Sequence, residues 1–165
     1  IEPPGPLGLF LGCKHEESSR KLPDTGIQVH VMEYNMEDFL VQSVEAYLTL
    51  AKVERNNLKV VQTPFLDEDR LNDKDDLTGS GALADIAARV LMKVLYCARL
   101  ARFDLLKAIS NLATKITKWT RNCDKKLHQL MCYINSSLKL RLTGVIGDTV
   151  DNVSPGTVQR RRLCR

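Results

Sequence analysis

The apolar residues change their period once, near residue 35, and that switch commits the chain to a mixed architecture. Ile27, Val29 and Val31 alternate with Gln28, His30 and Met32, the two-residue repeat of a half-buried strand. Beyond Asn35, Phe39, Leu40, Val44, Tyr47, Leu48 and Ala51 recur at three- and four-residue spacing. This predicts an amphipathic helix over 36–54 with Asn35 as its N-cap. The opening Pro3-Pro4-Gly5-Pro6 is extended. Leu7 to Cys13 then reads as a short buried strand in which Gly8 and Gly12 allow close backbone approach. Residues 14–26 read as a polar, turn-rich connection ending in Pro23-Asp24-Thr25-Gly26, so the strands on either side of it are expected to pair as a hairpin.

After Thr63-Pro64, residues 67–82 read as an acidic linker. Positions 67 to 81 hold seven acidic or Asn side chains plus Gly79 and Gly81. Three helices are expected after it. Ile86, Ala87, Val90, Leu91, Val94, Leu95 and Ala98 mark the first, with Asp85 as cap or first-turn acid. Leu105, Ile109, Leu112 and Ile116 mark the second, capped by Asp104, and Leu127, Leu130, Met131 and Ile134 the third, capped by Asp124. Leu138, Leu140 and Leu142 alternate with Lys139, Arg141 and Thr143, a closing strand with a basic outer face. The expected fold class is therefore α+β: a small β-hairpin plus helix (1–66), the acidic linker (67–82), a basic three-helix unit with a closing strand (83–148) and a basic tail (149–165). With 165 residues, 44% of them apolar, the chain can bury one core, and only nine Phe, Tyr and Trp make that core mostly aliphatic.

The linker also divides the charge. Residues 1 to 80 carry 8 Lys/Arg against 15 Asp/Glu, and residues 81 to 165 carry 16 against 5. A basic half built on helical periodicity suggests a surface that meets phosphate, because Lys and Arg displace the counterions condensed on a nucleic-acid backbone. Lys115, Lys118, Trp119, Arg121, Lys125 and Lys126 cluster where the second helix of this half ends and the third begins. Two readings fit them. They form a phosphate clamp with an aromatic against a sugar or base, or a solvated helix-helix turn whose cations answer the helix dipole while Trp119 packs as core. Arg89, Lys93, Arg99, Arg102 and Lys107 follow one side of the first helix into the second, and either extend the same track or form an ordinary exposed basic face. Arg160-Arg161-Arg162 with Arg165 is a third basic site, for nucleic acid or nuclear localisation.

Other chemistries find little support. Cys13, Cys97, Cys123, Cys132 and Cys164 include no C-x-x-C pair and are odd in number, which fits a reduced compartment. Cys123, His128 and Cys132 sit near one turn apart, but a fourth zinc ligand is missing and buried thiols are the simpler reading. His15 and His30 have no nucleophile at a recognisable catalytic spacing, and there is no Gly-rich phosphate loop. No apolar run is long enough for a bilayer and the start lacks signal-peptide character, so the expected location is cytoplasm or nucleus, without a membrane. Because the first residue is Ile1, the chain reads as an internal fragment.

A series of short motifs brings the reading to a family. Phe10-Leu11-Gly12, Ile27 to Val31, the helix from Met36, Thr63-Pro64-Phe65-Leu66, Val94-Leu95-Tyr96, Arg102-Phe103-Asp104 and His128 followed by Tyr133-Ile134 stand in a characteristic order. This order resembles the part of a Ty1/copia-type retrotransposon polyprotein that follows the reverse transcriptase palm and leads into ribonuclease H. The likeness covers about residues 7 to 148. Phe103 stands where the family has Pro, and beyond Asp148 the pattern is left. The resemblance implies a thumb and connection segment that holds an RNA/DNA or DNA template-primer duplex by phosphate contacts and shape. Arg99, Arg102, Lys107, Lys115, Lys118, Trp119, Arg121, Lys125 and Lys126 would be the contacts. It implies no catalysis in this chain, since the palm Asp pair and the ribonuclease H carboxylates belong to missing domains. Mg²⁺ is implied for the parent polymerase only, and no cofactor for this chain. A helical interaction module whose basic face binds an acidic partner, or its own acidic half, is the alternative. Apolar faces left bare by missing neighbours predict marginal solubility or self-association.

Overall fold

The computed structural model describes residues 7–67, 69, 71–72, 75–76 and 80–147. It is an α+β fold in which a four-stranded antiparallel sheet, in the order β1-β2-β3-β4, adjoins a helical core. Strand β1 (Leu9–Phe10) turns back through Leu11-Gly12 onto β2 (Cys13–Lys21), with Phe10 opposite Cys13. Both turn residues have positive φ, +50° and +79°, as a two-residue hairpin turn demands. Strand β3 (Gln28–Asn35) runs antiparallel to β2, from Lys14 opposite Asn35 to Lys21 opposite Gln28. On its other side β3 pairs with β4 (Leu142–Ile146), Tyr34 facing Leu142 and His30 facing Ile146.

Two strand expectations are corrected here. Most of the polar stretch expected as a connection is strand β2, and the hairpin is β2 with β3, while the Leu7–Cys13 segment folds onto β2 with Leu7, Leu9, Phe10 and Leu11 exposed instead of buried. Strand β2 reads Lys-His-Glu-Glu-Ser-Ser-Arg-Lys after Cys13 and buries only that cysteine. Backbone pairing with β3 carries it, so no apolar alternation marks it in the sequence. The closing strand begins at Leu142, later than expected. Leu138 to Arg141 belong to the turn after the last helix, where Leu140 N–H donates to Ser137 O. The turn at Pro23 to Gly26 is as expected, with Leu22 and Ile27 closing it.

Among the described residues there are helices α1 (Glu37–Ala51), α2 (Ala84–Leu100), α3 (Leu106–Ala113) and α4 (Arg121–Ser136). The N-cap of α1 is Met36, one residue later than expected, and Asn35 just before it accepts through Oδ1 from Glu37 N–H at 2.9 Å. The α2 stripe buries Ala87, Val90, Leu91, Val94, Cys97 and Ala98, and α4 buries Leu127, Leu130, Met131 and Ile134. Helix α2 packs on α1 and α3, and α4 packs on the same two. Core residues thus come from both sides of the 67–82 linker and form one cluster. Burial of each such Leu or Ile side chain contributes about 2 kcal/mol before the entropy of ordering it is counted. Tyr47 and Trp119 are its only fully buried aromatics among the described residues, and four thiols, Cys13, Cys97, Cys123 and Cys132, are free and buried in it. Among the described residues, the strand side chains in this core are Cys13, Tyr34 and Leu142, at one end of the sheet. Val29 and Val31 are buried outside it.

The expected caps of the last two helices are also corrected. Helix α3 starts after a 3₁₀ turn at Phe103–Leu105 and has no side-chain cap, because Asp104 is bound to Arg102. Helix α4 is capped by Thr120, whose Oγ1 accepts from Cys123 N–H. Asp124 faces the start of α2 instead, where Oδ2 accepts from Ala82 N–H at 2.7 Å and Oδ1 from Leu83 N–H at 3.1 Å. Those N–H groups at the α2 N-terminus lack helical partners, and a carboxylate satisfies both. Asp85, exposed in the first turn of α2, makes no cap bond.

Candidate nucleic-acid interface

The α3–α4 corner is built by its small and polar residues. A 3₁₀ turn at Ile116–Lys118 ends the α3 segment, and Trp119 then turns inward with 4% of its surface exposed. Its indole Nε1 donates to Asp124 Oδ1 at 2.7 Å. Gly81 closes over the same place, its N–H donating to Trp119 O. A Cβ at residue 81 would stand 2.5 Å from Thr120 O and 2.7 Å from Asp124 Oδ2. One carboxylate therefore ties the beginning of α2, the indole and the first turn of α4 into a rigid corner. Trp119 is a core and hydrogen-bonding residue, which removes it from the set of base-stacking candidates.

Arg102 is corrected as well. Only 2% of its side chain is exposed, so it cannot reach a phosphate. Nε and Nη2 donate to the two oxygens of Asp104 at 2.9 and 2.8 Å, Nη1 donates to Ser137 O, and Nη2 to Ser137 Oγ. Tyr133 lies under the guanidinium and donates its hydroxyl to Asp104 Oδ2. Burial works against the Arg102 charge, but the Asp104 carboxylate outweighs it and holds the guanidinium above its ordinary range. Burial likewise would raise the Asp104 carboxyl, yet the Arg102 hydrogen bonds and charge, helped by Tyr133, hold it below the usual value. The pair fastens the α2–α3 junction to the end of α4.

The remaining cations are displayed on this frame. Lys115, Lys118, Arg121 and Lys125 are exposed and Lys126 half-exposed. Lys115 and Lys126 stand at the rim of a cavity of about 380 Å³ whose other walls include Phe65, Leu66, Leu71, Asn111 and Leu112. Lys107 is exposed one turn before Asn111 on α3, so it continues this side. Arg99 does not join it. Arg99 borders a shallow groove shared with Met92, Leu95, Tyr96 and Leu100, all on α2. The track expected along α2 is further interrupted at Lys93, whose Nζ donates to Gln42 O and lies over the Phe39 ring. The Arg160 to Arg165 site lies outside the described residues.

The acidic linker meets this basic corner, which the sequence reading left open. Lys125 Nζ donates to Asp75 Oδ2 at 2.7 Å, and Thr120 Oγ1 donates to Asp76 Oδ1 at 2.7 Å. Hydrogen bonds from Thr120 and Asn122, with the nearby charges of Lys115 and Lys126, hold the Asp76 carboxyl below its ordinary range. Buried Asn122 fixes the segment, its Nδ2 donating to Asn72 O at 2.8 Å and its Oδ1 accepting from Asn72 N–H. Thr120 and Asn122 were not singled out from the sequence. Their only signal is a hydroxyl and an amide flanking Arg121 at a helix start.

Titratable groups that could do chemistry are otherwise engaged. His128 Nδ1 shares a 2.9 Å hydrogen bond with the Tyr47 hydroxyl, and burial raises the Tyr47 pKa. Burial pushes the Cys97 thiol up to about 12 and also raises Cys13 and Cys132. His15 Nδ1 lies 3.2 Å from Gly8 O, and His30 is 3.5 Å from Glu17. No three His, Cys, Asp or Glu side chains converge for a metal among the described residues. Asp104 is bound to Arg102 and Tyr133, and Asp124 to Ala82, Leu83 and Trp119. No helix among the described residues is long and apolar enough to cross a membrane. The chain matches no protein-family model, no curated protein sequence and no solved structure.

Proposed function

We propose that this chain is a non-catalytic fragment of a retrotransposon reverse transcriptase of the Ty1/copia type. In this reading it holds a template-primer duplex between the polymerase and ribonuclease H centres of the parent polyprotein. The carrying observation is the set of cations Lys107, Lys115, Lys118, Arg121, Lys125 and Lys126 around one rigid helical corner. Lysines and arginines on a fixed frame suit contact with successive phosphates, which gives affinity and register without reading bases. Arg102 and Trp119 act behind this face as its supports. The palm and ribonuclease H domains are the partners, and Mg²⁺ belongs to them.

A salt titration of duplex binding tests the reading. Binding of a short RNA/DNA duplex should weaken steeply with salt, at about 0.9 in log-log slope for each phosphate contact. It should drop at least tenfold when Lys115, Lys118, Arg121, Lys125 and Lys126 are changed to Ala together. Absence of binding at low salt rejects it. The second reading, a module whose basic face takes an acidic protein segment, draws on the Lys125–Asp75 pair. An acidic peptide that binds where duplex does not would favour it.

A further inference from the structure

We propose that the Asp75 and Asp76 carboxylates are a built-in competitor of nucleic-acid phosphate at the α3–α4 corner. The inference rests on the duplex-holding reading and assigns a regulation to that same face. One of the cations expected to meet phosphate, Lys125, already meets a carboxylate of this chain, and the charges of two more, Lys115 and Lys126, act on the neighbouring one. Asp75 is 2.7 Å from Lys125 Nζ, and Asp76 lies in the field of Lys115 and Lys126 while accepting the Thr120 hydroxyl. Lys118 and Arg121 have no ion pair among the described residues, so an incoming phosphate has an open point of entry beside the occupied ones. Two negative groups in consecutive positions resemble consecutive phosphates in charge, and both lie at the first turns of α4, where hydroxyl and amide donors also converge.

The contact is of a strength that can be exchanged. Asp76 is exposed and Lys125 nearly half so, and pairs this open to solvent are weak and screened by salt. Asn122 holds the backbone at Asn72, which keeps both carboxylates close enough to act as an intramolecular ligand at high effective concentration. A duplex must displace them. Displacement lowers the apparent affinity and flattens the salt dependence, since the freed carboxylates take up cations as the phosphates release them.

The experiment compares fluorescence-anisotropy titrations of a 20-bp RNA/DNA duplex across a salt series. The proteins are the full chain, the double variant Asp75→Asn/Asp76→Asn, and Glu16→Gln/Glu17→Gln on β2, which makes the same change of net charge elsewhere. The expected result is binding about fivefold tighter for D75N/D76N at low salt, with a slope steeper by about one to two. The β2 variant should stay within about twofold of the full chain. Should D75N/D76N fail to melt cooperatively, D75N alone, which loses only the Lys125 pair, should still gain about twofold. Duplex binding unchanged in D75N/D76N, or equally tightened in both double variants, overturns the competitor and leaves the duplex reading standing. No binding by any of the proteins overturns both.

Discussion

At the scale of single residues, the positions that read as surface contacts and turned inward are the most telling. Arg102 sits among cations in the sequence, but its partner is two residues away. A bidentate Arg–carboxylate pair in a buried junction has more to lose from opening than an exposed arginine has to gain from phosphate. Arg102→Ala should destabilise the chain by about 3 kcal/mol in denaturant unfolding, because it strands Asp104 and empties the space over Tyr133. Arg102→Lys, if folded, should bind duplex as the parent does; a tenfold loss would return Arg102 to the interface. The depressed Asp104 pKa gives this junction a pH signature. Its stabilisation is complete above the unfolded carboxylate pKa of about 3.9 and is lost as pH falls through the lower folded value. Asp104→Asn should therefore flatten the acid side of the stability profile below about pH 4 and leave its alkaline side in place. An unchanged acid limb in thermal melts would contradict this. At Gly81 the argument is steric: Gly81→Ala places a methyl against Thr120 O and Asp124, and should cost about 2 kcal/mol or more.

At the scale of elements, what the sequence disclosed depended on where each element gets its stability. Helices α1, α2 and α4 bury one apolar stripe each, so the three- and four-residue spacing finds them to within a few residues. Strand β3 shows because Val29 and Val31 are buried. Strand β2 was illegible because neither face is apolar. The helix starts were half legible: Asn35 stands one residue before the α1 N-cap and still binds a first-turn N–H, whereas Asp104 turned to Arg102 and Asp124 to the distant start of α2, partners that no capping rule contains. The site divides the same way. Exposure of Lys115, Lys118, Arg121 and Lys125 follows from their place at a helix-helix turn, but the return of Asp75 and Asp76 to them requires the tertiary path of the linker. One element carries local strain that can be relieved. Helix α1 ends at Lys52 with φ +54°, a left-handed position that favours glycine. Lys52→Gly should raise stability by about 0.5 kcal/mol, read as a higher denaturant midpoint at unchanged slope. A lower midpoint would mean that the Lys52 side chain contributes more than its backbone costs.

At the scale of the whole molecule, the two sides of the sheet differ in a way that bears on association. Beyond its short pairing with β1, the outer edge of β2 carries Glu16, Glu17, Arg20 and Lys21, and charges at an edge oppose pairing with another chain. Among the described residues, strand β4 ends the sheet on the other side as Leu-Thr-Gly-Val-Ile, without a charge and with Val145 and Ile146 more than half exposed. An open, uncharged edge rich in β-branched residues is the feature that solvent protects least, and it is where the self-association expected from the sequence should arise. Thr143 faces Glu33 across the β3–β4 pair, so a lysine there gains a cross-strand partner, and a lysine at Ile146 charges the end of the edge. Thr143→Lys/Ile146→Lys should shift sedimentation from concentration-dependent to monomeric while leaving the far-UV spectrum intact. If the parent chain is already monomeric at high concentration and unfolds in one cooperative transition, the β4 edge is protected and the expectation fails. If the parent associates and the double variant does so equally, association arises elsewhere, and the apolar hairpin tip at Leu9, Phe10 and Leu11 becomes the next surface to charge.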